Sequence, residues 1–79
     1  MTTKDIRWAA SIVLQLAKVP VQKNMIDAFI NYDQNKMWVK GVLKTAAPAA
    51  SMMSNPYYYE AIEILKANGI SDNIYDTGS

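Results

Sequence analysis

The sequence predicts an all-α fold, a small bundle of three main helices plus a short or kinked helical segment. Apolar residues recur with helical spacing along most of the chain, and prolines or a glycine stand where three of these patterns end. A hydrophobic fraction of 51% with a net charge of +1 is typical of a folded chain rather than a disordered one. The 79 residues are therefore predicted to form a single helical domain, residues 1–79.

The first predicted helix has an unusually wide apolar face and ends near Lys18, ahead of Pro20. Its polar residues share an arc of roughly 80° at the helical period of about 100° per residue. They are Lys4, Arg7, Ser11, Gln15 and Lys18. Either other helices of the chain surround the remaining apolar arc, or part of it contacts another chain, with Trp8 and Leu14 as candidate contact residues.

The second predicted helix starts at Asn24 and ends near Tyr32. Asp27 stands at its third helical position and is interpreted as part of a variant capping box. The stretch 33–35, Asp-Gln-Asn, is predicted to form a polar turn.

The third segment, Lys36–Ala47, is compatible with a helix or a strand. A helix separates its residues more cleanly, because Lys36, Lys40 and Lys44 then share one face while Trp38 lies with the apolar residues. Pro48 is expected to stop or kink this helix. Residues 49–54 are uncharged and ambiguous, with a short helical turn as one interpretation.

The last predicted helix has the strongest terminal signals. Asn55 is a favourable N-cap, and Pro56 follows at the first helical position. Gly69 is expected in the left-handed conformation, closing the helix in a Schellman motif together with Ile70.

Residues 71–79 are predicted to be a partly ordered C-terminal tail. Docking is expected through Ile74 and Tyr75, and fraying is expected from Asp76 onward.

The absence of two residue types excludes several chemistries. The chain has no histidine and no cysteine, so serine–histidine and cysteine–histidine nucleophiles are impossible, and a zinc site is not expected. Glu60 and Glu63 are predicted to be solvated surface acids on a polar helix face, whereas catalytic carboxylates are usually buried. The stretch 33–35 begins like a calcium loop, but the glycine and closing glutamate do not follow. We therefore predict no enzyme activity, no cofactor and no metal site.

A surplus of aromatic and methionine side chains is the main functional signal, because these residues are enriched at protein interfaces. Phe29, Trp38 and Tyr58 are predicted to belong to the core. For Met52, Met53 and Tyr59 the sequence does not decide between a core and a surface position. Tyr59 is the best candidate for an exposed ring. The predicted partner-contact residues are Trp8, Leu14, Met52, Met53, Tyr57 and Tyr59.

These observations predict a non-catalytic protein-binding module, acting as a homo-oligomer, an assembly subunit or an inhibitor-type adaptor. The alternative is a small nucleic-acid-binding domain that uses Lys36, Lys40 and Lys44 to contact phosphates. A further option, helix 1 on a membrane surface, has few basic residues to support it. No signal peptide or transmembrane segment is evident, so a cytoplasmic location or one inside an assembled particle is expected. The composition is typical of accessory proteins of viruses or mobile elements.

Overall fold

A computed structural model describes the backbone of residues 3–70 and the side chains of residues 5–70. The described chain forms four α-helices, α1 (Thr3–Leu16), α2 (Lys23–Ile30), α3 (Lys36–Met53) and α4 (Tyr58–Ala67). A 3-10 helix, Tyr32–Gln34, precedes α3 in place of the predicted polar turn. The predicted all-α bundle is confirmed. The predictions for the tail, including docking through Ile74 and Tyr75, lie outside the described residues.

Helix α1 lies at the centre of the bundle, because α2, α3 and α4 all pack against it. Its residues Ala9, Ala10, Val13 and Leu14 have no solvent-accessible surface. The other helices contribute Phe29, Leu43, Leu65 and smaller side chains to the same core. The central part of the wide apolar arc of α1 is therefore covered within the chain, while Ile6, Trp8 and Ile12 stay half-buried.

A left-handed residue ends α1. Lys18 has a φ of 62°, and the backbone N–H of Val19 donates to the Leu14 carbonyl at 2.9 Å. The N–H of Lys18 donates to the Gln15 carbonyl at 3.0 Å, which completes a Schellman motif. A side chain is unfavourable in this conformation, and glycine is the residue that adopts it without steric cost.

Replacing Lys18 with glycine is expected to stabilise the protein. The relief of left-handed strain exceeds the entropy that glycine loses on folding, for a net gain of about 0.5–1 kcal/mol. The melting temperature should rise by roughly 2–8 °C, which thermal unfolding followed by circular dichroism will measure. Lys44→Gly is the matched control, because Lys44 lies inside α3 and its replacement should destabilise by about 0.5–1 kcal/mol. A loss of stability in Lys18→Gly would contradict the prediction.

Helix α2 begins one residue before the predicted start, and the predicted capping role of Asp27 is not observed. The N-cap position is Gln22, whose side chain makes no capping hydrogen bond. Asp27 instead accepts a hydrogen bond from Arg7 Nη1 of α1 at 2.6 Å and another from Lys23 Nζ at 3.2 Å. The guanidinium of Arg7, followed by the ammonium of Lys23, holds the pKa of Asp27 below its ordinary value of 3.8.

This lowered pKa predicts a contribution of Asp27 to acid unfolding. The folded state favours the ionised carboxylate, so the stabilisation is complete above pH 3.8 and is lost as the pH falls through the lowered pKa. Urea unfolding at several pH values between about 2 and 5 will measure this dependence. In Asp27→Asn the same pH series should have a shallower slope, and equal slopes in the two proteins would contradict the assignment.

Helix α3 continues through Pro48 to Met53, so the predicted stop at this proline is wrong. Proline cannot donate a hydrogen bond to the Lys44 carbonyl one turn earlier. Both residues lie on the exposed side of α3, where water can reach that carbonyl. The sequence left residues 49–54 ambiguous. Of these, residues 49–53 form the last part of α3. Ser54 ends the helix in the left-handed conformation, with a φ of 52°.

Helix α4 begins two residues later than its sequence signals indicate. Asn55 Oδ1 accepts a hydrogen bond from the Tyr57 N–H at 2.8 Å, but Pro56 and Tyr57 form a turn that precedes the helix. The predicted C-terminus is confirmed. Gly69 has a φ of 75°, and the Ile70 N–H donates to the Leu65 carbonyl at 2.9 Å. No helix within residues 3–70 combines the length and apolar character needed to cross a membrane.

Candidate protein-interaction surfaces

Besides Val21 in the loop between α1 and α2, the large apolar side chains that remain exposed in the described fold lie at two places. One is the turn between α3 and α4, where Met52, Met53, Tyr57 and Tyr59 are exposed. We call these four residues the corner surface. The second is an apolar groove between the end of α1 and the first half of α3, with Met37 and Trp38 as its exposed members.

Capping interactions fix the backbone of the corner surface. The Asn55 N–H donates to the Ala50 carbonyl at 3.2 Å across the left-handed Ser54, and the Asn55 side chain holds the N–H of Tyr57. Pro56 restricts the dihedral angle φ between these two contacts. The exposed side chains of the corner surface are thus carried by a turn with a defined conformation.

Aromatic contacts orient two of the tyrosines. The Tyr57 ring lies edge-to-face against Trp8 of α1, with centroids 6.1 Å apart and an interplanar angle of 84°. Tyr59 contacts the buried Tyr58 in the same way, with centroids 5.3 Å apart. Tyr59 is nevertheless 72% exposed, so most of its ring faces solvent. Trp8 is half-buried and connects the corner surface to the core.

An open depression of about 340 Å³ adjoins Tyr59. It lies between the last turn of α3 and the turn that follows, and its other lining residues are Ala50, Ser51, Ser54, Asn55 and Pro56. The corner surface therefore has a protruding ring beside a shallow depression, and a side chain of a partner can fit into that depression.

The structure separates the predicted contact residues into three groups. Leu14 is 0% exposed within α1, so it is removed from the candidates: neighbouring helices cover the arc that the sequence left without a partner. Trp8 is half-buried. The four residues of the corner surface are exposed, with Met52 reaching 87%. Their contact role stays a prediction.

Sequence reasoning missed the groove because Trp38 was predicted to lie in the core. Trp38 packs edge-to-face on the buried Phe29, with centroids 6.3 Å apart, yet it is 37% exposed. The predicted core positions of Phe29 and Tyr58 are confirmed. One signal was present: Trp38, Gly41 and Thr45 are three and four residues apart, so they share one side of a helix.

The groove has a volume of about 360 Å³ and opens to solvent. Ala17 and Val19 line it from the end of α1, and α3 contributes Met37, Trp38, Gly41, Val42 and Thr45. A Cβ atom added at Gly41 would meet no atom within 4 Å, so the space above this glycine is empty.

The predicted lysine face lies on α3, which is a helix rather than a strand. Lys36 and Lys44 are exposed and Lys40 is half-buried. The Lys36 ammonium lies 5.8 Å from the centroid of the Tyr32 ring, within the range of a cation–π interaction. Helix α3 contains no aspartate or glutamate, and its three lysines make its first half, up to Lys44, cationic.

The described residues offer no grouping of three or more acidic, histidine or cysteine side chains that could hold a metal ion. Asn35, from the stretch that begins like a calcium loop, uses its side-chain amide to donate to the Ala28 and Asn31 carbonyls at 3.0 and 3.3 Å. Its role is to join α2 to the start of α3. Comparisons of the chain with protein-family models, curated proteins and solved structures found no match.

Proposed function

We propose that this protein is a non-catalytic protein-binding module and that the corner surface is its contact surface. The observation that carries the proposal is the exposure of two methionines and two tyrosines within eight consecutive residues, 52–59. These side chains lie on one turn and on the helix ends that flank it. Contiguous exposed apolar patches on monomeric proteins usually mark binding sites.

The chemistry of the corner surface supports a protein partner. Methionine adapts to irregular surfaces, and tyrosine combines a large apolar ring with a hydroxyl that can form a hydrogen bond at an interface rim. No lysine, arginine, aspartate or glutamate occurs between Ala46 and Tyr59. The patch is therefore depleted of charge, as the centres of protein interfaces are.

The rigidity of the turn favours binding further. Ordering a side chain or loop on association costs roughly 0.5–1.5 kcal/mol for each immobilised group. Ser54, Asn55 and Pro56 already hold this backbone, and Trp8 already contacts the Tyr57 ring. Less ordering free energy is then lost when a partner binds.

The double variant Met52→Ser/Tyr59→Ser tests the proposal. Both side chains project into solvent, so unfolding free energy should change by no more than about 1 kcal/mol. Binding should weaken at least roughly tenfold, because exposed tyrosine and methionine at an interface centre contribute more than 1 kcal/mol. Light scattering over a concentration series measures self-association, and capture from the native host followed by mass spectrometry identifies another chain.

Met37→Ser is the matched control, since Met37 is 90% exposed but lies in the groove. We expect the wild type and Met37→Ser to form the same oligomer or to capture the same chain. The double variant Met52→Ser/Tyr59→Ser, the corner variant, should do neither. The proposal would be overturned if the wild type is a monomer and captures no chain, or if capture is unaffected by the loss of Met52 and Tyr59.

Nucleic-acid binding is the second candidate function, and the carboxylate-free lysine face of α3 favours it. Affinity for a phosphate backbone falls steeply as salt concentration rises, whereas burial of the corner surface responds little. Binding of a DNA or RNA duplex that weakens with salt and with Lys44→Glu, but not with the corner variant, would support this second function.

A further inference from the structure

The corner surface combines a projection with a hollow. Tyr59 is 72% exposed, and its ring borders the open depression of about 340 Å³ between the last turn of α3 and the turn that follows. Pockets that hold small ligands begin at about 300 Å³, so the depression has room for one aromatic side chain. The surface therefore carries a ring and, beside it, a space that accepts such a ring.

A surface with both features can pair with itself. The commonest protein dimer has a two-fold axis, which brings the same surface of both copies together. Each contact then occurs twice, because the residue that one copy inserts into its neighbour is also inserted in the opposite direction. Two projections near the axis would collide unless a hollow lies beside each of them. The corner surface meets this requirement, with Tyr59 as the projection.

The depression suits both ends of a tyrosine side chain. Ala50 and Pro56 contribute apolar lining for the ring, while Ser51 and Ser54 are exposed residues of the same lining. A tyrosine hydroxyl that becomes buried at an interface needs a hydrogen-bond partner, and a serine hydroxyl oxygen accepts such a bond. An inserted tyrosine therefore finds apolar contact for its ring and polar groups for its hydroxyl.

The distribution of charge permits the same pairing. Two-fold symmetry places like charges near the axis opposite each other, which disfavours association. Residues 46–59 contain no lysine, arginine, aspartate or glutamate. The corner surface and the lining of the depression lie entirely within this stretch. A second copy meets no like charge there, and a strongly charged partner gains no attraction from it.

The exposed area suits a dimer that dissociates on dilution. The four side chains of the corner surface are each more than half exposed. Together they present roughly 500–600 Å² on each copy, so two copies come near the lower limit of specific interfaces, about 1,200 Å² in total. Obligate dimers bury about 2,000 Å² or more. We therefore expect monomer and dimer to be in equilibrium.

We propose that the partner of the corner surface is a second copy of this chain, in a two-fold dimer in which the Tyr59 ring of each copy occupies the depression of the other. Met52, Met53 and Tyr57 are covered in the same contact. This inference rests on the proposed function and names the partner that the corner surface binds.

Two single variants and their mixture test the reciprocal insertion. Tyr59→Ala removes the ring, and Ser51→Trp fills the depression, so a dimer of either variant has no ring insertion. Each variant alone should raise the dimer dissociation constant at least roughly tenfold, as measured by sedimentation equilibrium. In the mixture, the Ser51→Trp copy supplies a ring and the Tyr59→Ala copy supplies an open depression. Mixed dimers with one insertion should therefore form more tightly than either variant dimer.

Controls separate the contact from effects on the fold. Ser51 and Tyr59 are exposed, so thermal unfolding of both variants should stay close to that of the wild type. Met37→Trp places the same new side chain on α3 outside the corner surface, and its dimer should be unchanged. A mixture of folded variants that associates no better than either one alone would overturn the reciprocal insertion.

A second measurement uses the unsubstituted protein. Isotope-labelled and unlabelled wild type are mixed at a concentration where the dimer predominates. Nuclear Overhauser effects between the Tyr59 ring of one copy and the Ala50 methyl group of the other are expected. A dimer without these contacts, or one that Tyr59→Ala leaves unchanged, forms through another surface and overturns the inference.

Solution mass and capture together separate this inference from the proposed function. A wild type that stays monomeric at high concentration, yet captures another chain through Met52 and Tyr59, would overturn the second copy as the partner and leave the proposed function standing. A monomer that captures no chain would overturn both.

Discussion

Leu14→Ala is expected to remove a large part of the stability of this protein. Leu14 has no exposed surface in the central helix α1, where all the other helices meet. Truncating a fully buried leucine to alanine costs about 2–5 kcal/mol, and a domain of this size has a total stability of only about 5–10 kcal/mol. Urea unfolding followed by far-UV circular dichroism should give a midpoint far below that of the wild type.

Gln15→Ala is the matched control, because Gln15 is the exposed neighbour of Leu14 on the same helix. Alanine favours the helix slightly, so stability should stay within about 0.5 kcal/mol of the wild type. Equal effects of the two substitutions would show that α1 is not enclosed as described. Loss of partner binding in Leu14→Ala would reflect unfolding, so this variant is unsuitable for mapping a contact surface.

Phe29→Ala is expected to destabilise the protein by about 3–5 kcal/mol, whereas Trp38→Ala should cost only roughly 1–2 kcal/mol. The two rings form one edge-to-face pair, but Phe29 is fully buried and Trp38 has a third of its surface in solvent. Phe29→Ala leaves a cavity in the core, and Trp38→Ala mainly enlarges the groove. Denaturant unfolding of both variants measures the difference.

The double variant Phe29→Ala/Trp38→Ala completes a mutant cycle. An edge-to-face pair contributes about 0.5–1.5 kcal/mol beyond the area that it buries, so the double variant should be less destabilised than the sum of the two single variants. A Trp38→Ala loss as large as that of Phe29→Ala would mean that Trp38 belongs to the core, as its sequence position first indicated.

The sequence was sufficient to predict the helices, but not the residues at which several of them begin or end. The periodic apolar residues of α1, α3 and α4 and the left-handed Gly69 depend on local chemistry, which a sequence states directly. The role of Asp27 depends on Arg7, twenty residues away, whose guanidinium donates to the Asp27 carboxylate at 2.6 Å. Continuation of α3 through Pro48 depends on which side of the helix faces water, and only the assembled bundle determines that side.

The candidate contact residues also differ in how far local sequence patterns could predict their position. Met52, Met53, Tyr57 and Tyr59 are close together in the sequence, so their grouping could be predicted, but core and surface stayed open for Met52, Met53 and Tyr59 until the assembled bundle showed them exposed. Leu14 was misplaced because an apolar arc reveals how much surface must be covered, but not which element covers it. The groove joins α1 to α3, and no pattern within either helix reveals such a contact.

The central position of α1 has a consequence for how the chain acquires its structure. The helices that pack against α1 are all made after it, and α4 begins some forty residues beyond its end. During synthesis α1 therefore keeps apolar residues uncovered until α4 has emerged. We expect the four helices to fold in one cooperative step only at that point, and fragments that stop before residue 58 to stay unfolded and prone to aggregate.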